Sequence, residues 1–172
     1  IRRSDHGTAV AMNKKRHLAL SGPAAFVAGQ EFLAAILAEA GDTPVFLAGG
    51  AVRDALLGLD PVDLDLVVEG DAVGLAVRLD PEATVHERFG TAECDVDGVK
   101  VDLATARTEK YAHPGSLPDV TPSSLGEDLS RRDFTINAMA VDLRDPDELV
   151  DPLGGCDDLE RGVLRVIHPE SF

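Results

Sequence analysis

Cysteine is scarce in this sequence. Only Cys94 and Cys156 occur, without CxxC spacing and without metal-ligating neighbours. That excludes a disulfide framework and a structural zinc site, and sets the expectation of a reduced, cytoplasmic protein. Long apolar runs are also missing. No window approaches the ~18 residues of a membrane span, and "HLALSGPAAFVAG" is too interrupted for a signal peptide. Positive charge is the third shortage, with 16 Lys and Arg against 31 Asp and Glu for a formal net charge of −15. Residues 1–20 contribute +4 of this, so the remainder carries −19. A broad basic nucleic-acid surface is therefore excluded. A nucleic-acid partner would have to be met by a local patch, by metal ions that offset carboxylates, or by protein outside these residues. There are no internal repeats and no low-complexity tract. Nothing in the pattern sets an oligomeric state.

What is present fits one core of ordinary domain size in 172 residues. Ile1 in place of Met reads as a fragment, a processed chain or a tagged one. Residues 1–23 read as a flexible arm or an added remnant. Apolar residues from Phe26 to Leu37 recur at helical spacing, which predicts a helix over 24–40 closed by Gly41. A buried strand at 45–48 leads through Gly49–Gly50 into a short helix near 51–57, with Gly58 at its end. A strand at 62–68 and a helix at 72–79 follow. Segments 93–96 and 99–103 flank Asp97–Gly98, a hairpin signal. Ser124 and Glu127 form a capping box for a helix reaching about 132, and "AMAVDL" reads as another strand. "YAHPGSLPDVTPSS" reads as a Pro/Gly-rich loop, and "DPLGGCDDL" as a turn that hinges into new structure. The prediction is an α+β fold with one mixed sheet and flanking helices. The main domain is placed at 24–147, and 148–172 is read as a hinge with the start of a second domain.

The chemistry concentrates in "FLAGGAVRDALLGLDPVDLDLVV", residues 46–68. Strand alternation puts Asp63 and Asp65 on one face and Val62, Leu64 and Leu66 on the other. Two adjacent carboxylates repel, and a divalent cation relieves this; Mg²⁺ favours one or two carboxylates plus substrate phosphates. A bare pair of this kind fits ion pairing with Arg or Lys at a sheet end as well. Two features tilt the reading toward metal. Gly49 and Gly50 lie between a strand and a helix start, where amides cradle phosphate, and Arg53 adds a charge-assisted fork one turn later. In "VKVDLAT", Asp102 faces away from Val101 and Leu103. If strands 62–68 and 99–103 are neighbours, Asp102 joins Asp63 and Asp65. Three carboxylates so placed hold two Mg²⁺ roughly 3.5–4 Å apart, suited to in-line phosphoryl displacement.

These stretches, with "VDLATARTEKY", "SSLGEDLSRRDFTINAMAVDL" and "LVDPLGGCDDLERGVLRVIHPESF", resemble the head domain of class II CCA-adding tRNA nucleotidyltransferases and bacterial poly(A) polymerases. The resemblance runs from Val45 to Phe172 and implies the DNA polymerase beta-like nucleotidyltransferase fold. It also implies transfer of AMP or CMP from ATP or CTP to a tRNA 3′ end, with Mg²⁺ or Mn²⁺ as cofactor. The family's metal carboxylates fall on Asp63, Asp65 and Asp102, which are also its catalytic positions. Its phosphate-gripping residues fall on Gly49, Gly50 and Arg53, and its ribose- and phosphate-contacting motif on Arg131, Arg132, Asp133 and Asn137. Of the two arginines, Arg132 matches the position tied to nucleotide, and Arg131 also fits a cation at a helix C-terminus. The base-selecting motif of the neck, and the body that holds the RNA, would follow after Phe172. Rival readings are untemplated poly(A) addition and a nucleotide-binding module without transfer. The wording of "ATARTEKYAHPGSLPDVTPSS" tilts the reading toward tRNA.

Overall fold

The computed structural model describes residues 15–17, 22–113 and 115–168. The strands are β1 (Lys15–His17), β2 (Val45–Ala48), β3 (Asp65–Val68), β4 (Thr84–His86), β5 (Thr91–Val96), β6 (Val99–Thr105), β7 (Arg107–Lys110), β8 (Asp119–Pro122), β9 (Ala140–Asp142) and β10 (Asp145–Val150). The helices are α1 (Pro23–Ala28), α2 (Phe32–Ala40), α3 (Gly50–Leu56), α4 (Ala72–Leu79), α5 (Leu125–Ser130) and α6 (Gly155–Glu160). Eight strands form one mixed sheet in the order β1-β10-β9-β2-β3-β6-β5-β4, and β7 pairs with β8 in a separate ribbon. Only β3 and β6 run parallel among the described pairs; the rest are antiparallel.

Side-chain parity sorts the sheet into two faces. Val45, Leu47, Leu66, Val68, Val101 and Leu103 join one large core with α2 and α4. Phe46, Ala48 and Val67 point the other way into a smaller cluster with Leu125 and Leu129 of α5. Central strands β2 and β3 are therefore apolar on both faces, whereas β5 and β6 alternate buried and exposed positions. The carboxylates sit where the α5 face is left uncovered. The β5–β6 hairpin turns at Asp97 (φ 55°) and Gly98 (φ 84°), the left-handed pair that its sequence signals.

Several local expectations need correction. The helix expected over 24–40 is two helices, because the chain breaks at Gly29, the C-cap of α1. The strand expected from Val62 begins at Asp65; Val62 is 89% exposed and Asp63 lies in a bend. Pro61 supplies no amide donor to a ladder there. Asp63 and Asp65 are thus not consecutive positions on one strand face. Part of the expected loop is β8, paired in register with β7. Part of the expected arm, Lys15–His17, forms an edge strand on β10; residues 1–14 and 18–21 lie outside the described residues. Strand β10 runs through the division drawn at residue 147 and stays in the sheet to Val150. Both cysteines are buried in the large core and neither is in a disulfide; burial pushes the Cys94 thiol up to about 11. No helix among the described residues is long and apolar enough to cross a membrane.

Candidate active site

Asp65 opens β3, and Asp102 stands directly abreast of it on the parallel strand β6. Glu93 stands abreast of Asp102 on β5. A row of carboxylates therefore crosses three strands on one face. Burial pushes the Asp65 carboxyl above its ordinary value; Arg132 opposes this and Asp63 adds to it. Burial raises Asp102 as well, reinforced by Asp65, Glu93 and Asp63 and opposed by Lys100. Asp63 is therefore electrically part of the group although it precedes the strand. Among the described residues, no side chain donates a hydrogen bond to, or forms an ion pair with, Asp63, Asp65 or Asp102. Lys100, on the same face of β6 as Asp102, instead reaches Glu93 at 2.9 Å. The sheet-end ion pairs that the bare sequence allowed are absent from these three.

This donor set is all oxygen, anionic and without a direct ion pair, which suits a hard divalent cation that keeps waters and shares substrate phosphates. Among the described residues no group of three or more Asp, Glu, His or Cys is placed to hold a metal ion by itself. A cation on these carboxylates would need its other ligands from outside the chain.

Beside the row, where β2 ends next to β3, stands the glycine turn. Gly49 adopts φ 70°, ψ −131°, a conformation reserved for glycine. Its amide donates to the carbonyl of Met139 at 3.0 Å, so Gly49 does not offer that amide to a phosphate as expected. In the first turn of α3, Gly50 is partly exposed and its amide has no intrahelical acceptor, whereas Ala51 and Val52 are buried. Gly49 has a second duty. A Cβ there would lie 2.5 Å from Nη1 of Arg132. Gly49→Ala is expected to strain the turn by ~1–3 kcal/mol and to displace Arg132, lowering both melting temperature and nucleotide affinity; calorimetry on the variant checks this.

The structure separates the two arginines. Arg131 is braced internally by Asp128 at 2.7 Å, Glu109 at 2.9 Å and the Arg107 carbonyl at 3.0 Å. Arg132 leans toward the turn, donating to the Asn137 carbonyl at 3.2 Å and to Asp128 at 3.3 Å, with its Nε buried and unpartnered. Arg53 donates to Asn137 Oδ1 at 2.8 Å and pairs with Asp54. Asp133 accepts from the Phe134 amide and weakly from Asn137 Nδ2, so it shapes the turn from within. Gly49, Arg53, Arg132 and Asn137 are thus joined in one network, with Asp65 in the field of Arg132. Asp65, Asp102, Glu93, Arg131 and Arg132 line a cavity of about 490 Å³.

Sequence reasoning missed Glu93, Asp128 and Thr135. Asp128 is 1% exposed and anchors both arginines. Its spacing, three and four residues before them on a helix, was the available signal. Glu93 follows from strand register, and Thr135 from a partner 23 residues away.

The fold and this site define a nucleotidyltransferase head of the DNA polymerase beta-like kind. Residues 45–165 match the poly A polymerase head domain, and the chain belongs to that family. It is similar to an A-adding tRNA nucleotidyltransferase of Aquifex aeolicus, 50% identical over 133 residues, covering 74% of this chain and 16% of that protein. A CC-adding tRNA nucleotidyltransferase of Deinococcus radiodurans is 47% identical over 140 residues, covering 76% of this chain and 37% of that protein. Among solved structures, a tRNA nucleotidyltransferase complexed with a primer tRNA and an incoming ATP analog superimposes with a TM-score of 0.64 at 42% identity, over 80% of this chain and 39% of that one. The chain thus spans well under half the length of these relatives.

Proposed function

We propose that this chain is the head of an RNA nucleotidyltransferase that moves AMP or CMP from ATP or CTP onto a tRNA 3′ end and releases pyrophosphate. The observation that carries the reading is the pair Asp65 and Asp102, without direct ion-pair partners, abreast on β3 and β6 and facing a cavity that Arg132 also lines. In this reaction a 3′-hydroxyl oxygen bonds to the α-phosphorus as the bond to the pyrophosphate oxygen breaks. Bound Mg²⁺ or Mn²⁺, held by Asp65 and Asp102 with Asp63, would neutralise the triphosphate and acidify the attacking hydroxyl. The chain's own residues do the positioning. Arg132 and Arg53 draw in the triphosphate, each fixed in direction by its bond to Asn137. The turn around Asp133 and Asn137 then meets the ribose.

An A-adding and a CC-adding relative match this segment at 50% and 47% identity. The site residues of this chain are suited to what ATP and CTP share, the triphosphate and ribose. Base selection and the grip on RNA fall to protein outside these residues, in keeping with the net charge of −15.

Titration calorimetry with ATP and with CTP in MgCl₂ tests this reading. The chain is expected to bind both with similar affinity, and Arg132→Ala to weaken both alike, by about tenfold for one lost charge-assisted contact of ~1.4 kcal/mol. A strong preference for one base, or no nucleotide binding at all, would overturn it.

A further inference from the structure

The segment after Asp151 packs back onto the turn that carries Arg132, Asp133 and Asn137. Asp151 is buried and accepts from the amides of Gly155 and Cys156 at 2.7 and 3.0 Å, fixing the start of α6. Gly155 rests against the carbonyl of Thr135 so closely that a Cβ there would collide with it. Further along, the Thr135 hydroxyl donates to Asp158 Oδ2 at 2.6 Å, and Arg165 Nε donates to the same oxygen at 2.8 Å. Arg165 also donates to the Leu153 carbonyl at 2.7 Å. The backbone completes the lacing: the Thr135 amide reaches the Arg165 carbonyl, the Ile167 amide reaches the Asp133 carbonyl, and Phe134 bridges to Val166. Bonds of the 153–167 segment thus hold both sides of the turn.

We propose that Thr135, Asp158 and Arg165 form a clamp that sets the posture of the nucleotide-facing turn at 131–137, with α6 and the chain through Ile167 a fixed part of the head. Thr135 is the centre, because its hydroxyl is the side-chain link between the turn and α6, and it is 2% exposed. Asp158 is the hub, joining Thr135 to Arg165. The Thr135 hydroxyl, and after it the Arg165 guanidinium, hold the Asp158 carboxyl below its ordinary value, so it is ionised and charge-assisted at neutral pH. These are positioning residues: none lines the carboxylate cavity, and each acts through the turn. Bending between head and following domain then falls after Ile167 rather than in "DPLGG".

The proposal rests on the reading that this turn grips nucleotide, and its test separates the two. Thr135→Val keeps the shape and removes the hydroxyl, Thr135→Ser keeps the hydroxyl, and Asp158→Asn removes the charge. Val96→Ala, in the large core away from the turn, lowers stability without touching the clamp. Dissociation constants for ATP and CTP in MgCl₂ are measured together with hydrogen exchange of 131–137. Thr135→Val and Asp158→Asn are expected to raise both dissociation constants about fivefold or more and to speed exchange selectively in 131–137. Thr135→Ser and Val96→Ala are expected to bind like the parent chain. Parent-like exchange in 131–137 for both Thr135→Val and Asp158→Asn overturns the clamp. Failure of the parent chain to bind either nucleotide overturns the functional reading, and the exchange data then decide the clamp alone.

Discussion

Asp65→Ala abolishes divalent-dependent nucleotide binding by this chain, and in an intact enzyme of this type turnover falls by several orders of magnitude, each tenfold being ~1.4 kcal/mol of barrier; this is the expected result of removing the carboxylate at the β3 end of the row. Asp65 lies abreast of Asp102 and within the field of both Asp63 and Arg132, so no neighbour substitutes for it. A second consequence runs opposite in sign. Burial and like charge raise the folded-state pKa of Asp65 and Asp102. For a carboxyl raised on folding, the contribution to stability is fully present below its unfolded pKa and is lost as pH rises through the folded value. At neutral pH without metal, both groups are ionised at a cost to the fold. Asp65→Asn is therefore expected to raise the melting temperature of the metal-free chain at pH 7.5, with ~2–4 °C for each kcal/mol relieved in a domain of this size. The gain should shrink as pH falls through the raised folded-state value of the parent carboxyl. Thermal melts in EDTA over an acidic-to-neutral pH series check it. A lower melting temperature for Asp65→Asn at pH 7.5 would mark the carboxylate as structural.

The legible parts of this molecule are those whose cause is local. Asp97–Gly98 demands a tight left-handed turn, so the β5–β6 hairpin follows from two residues. The parity of Val101 and Leu103 places Asp102 on the open face, and that face is where β3 presents Asp65. Ser124 and Glu127 mark the start of α5, where the Ser124 amide donates to Glu127 at 3.2 Å. What stayed hidden depends on packing. Val62 has a strand-former's side chain, yet nothing in the core reaches it, and the strand starts three residues later. The β7–β8 ribbon is written in "RTEK" and "DVTP", with no apolar alternation; the backbone ladder joins the two strands, and Glu109, accepting from Arg107, Arg131 and Tyr111, anchors β7. The Gly49 amide looked open to phosphate because its acceptor, Met139, lies ninety residues away on β9's approach. The motif residues were recognisable as a set, with Arg132 already singled out; the bracing of Arg131 by Asp128 and Glu109 depends on packing that the sequence does not display.

Asp128→Ala is expected to be the most damaging change to a polar side chain that touches no ligand. Its carboxylate is 1% exposed and accepts from Arg131 Nη2 at 2.7 Å, Arg131 Nε at 3.1 Å, Arg132 Nη2 at 3.3 Å and the Arg107 amide at 3.3 Å. Removing one partner of a buried pair leaves the other charge uncompensated, at ~3–5 kcal/mol. For a domain of this size that corresponds to a fall in melting temperature of roughly 6–20 °C. Function fails for a separate reason. Arg132 keeps only the Asn137 carbonyl as an acceptor, its Nε is already unpartnered, and its guanidinium loses the direction that places it over Gly49. The two effects are separable, because replacing a buried ion pair by apolar groups is often neutral for stability. In the double variant Asp128→Leu with Arg131→Met, most of the lost stability should return, since Arg131 is the more fully braced of the two arginines. Nucleotide affinity should stay low, since Arg132 remains unanchored. Recovery of both together would show that neither Arg131 nor the Asp128 anchor is needed to grip the triphosphate, and the dependence of Arg132 on Asp128 would be overturned.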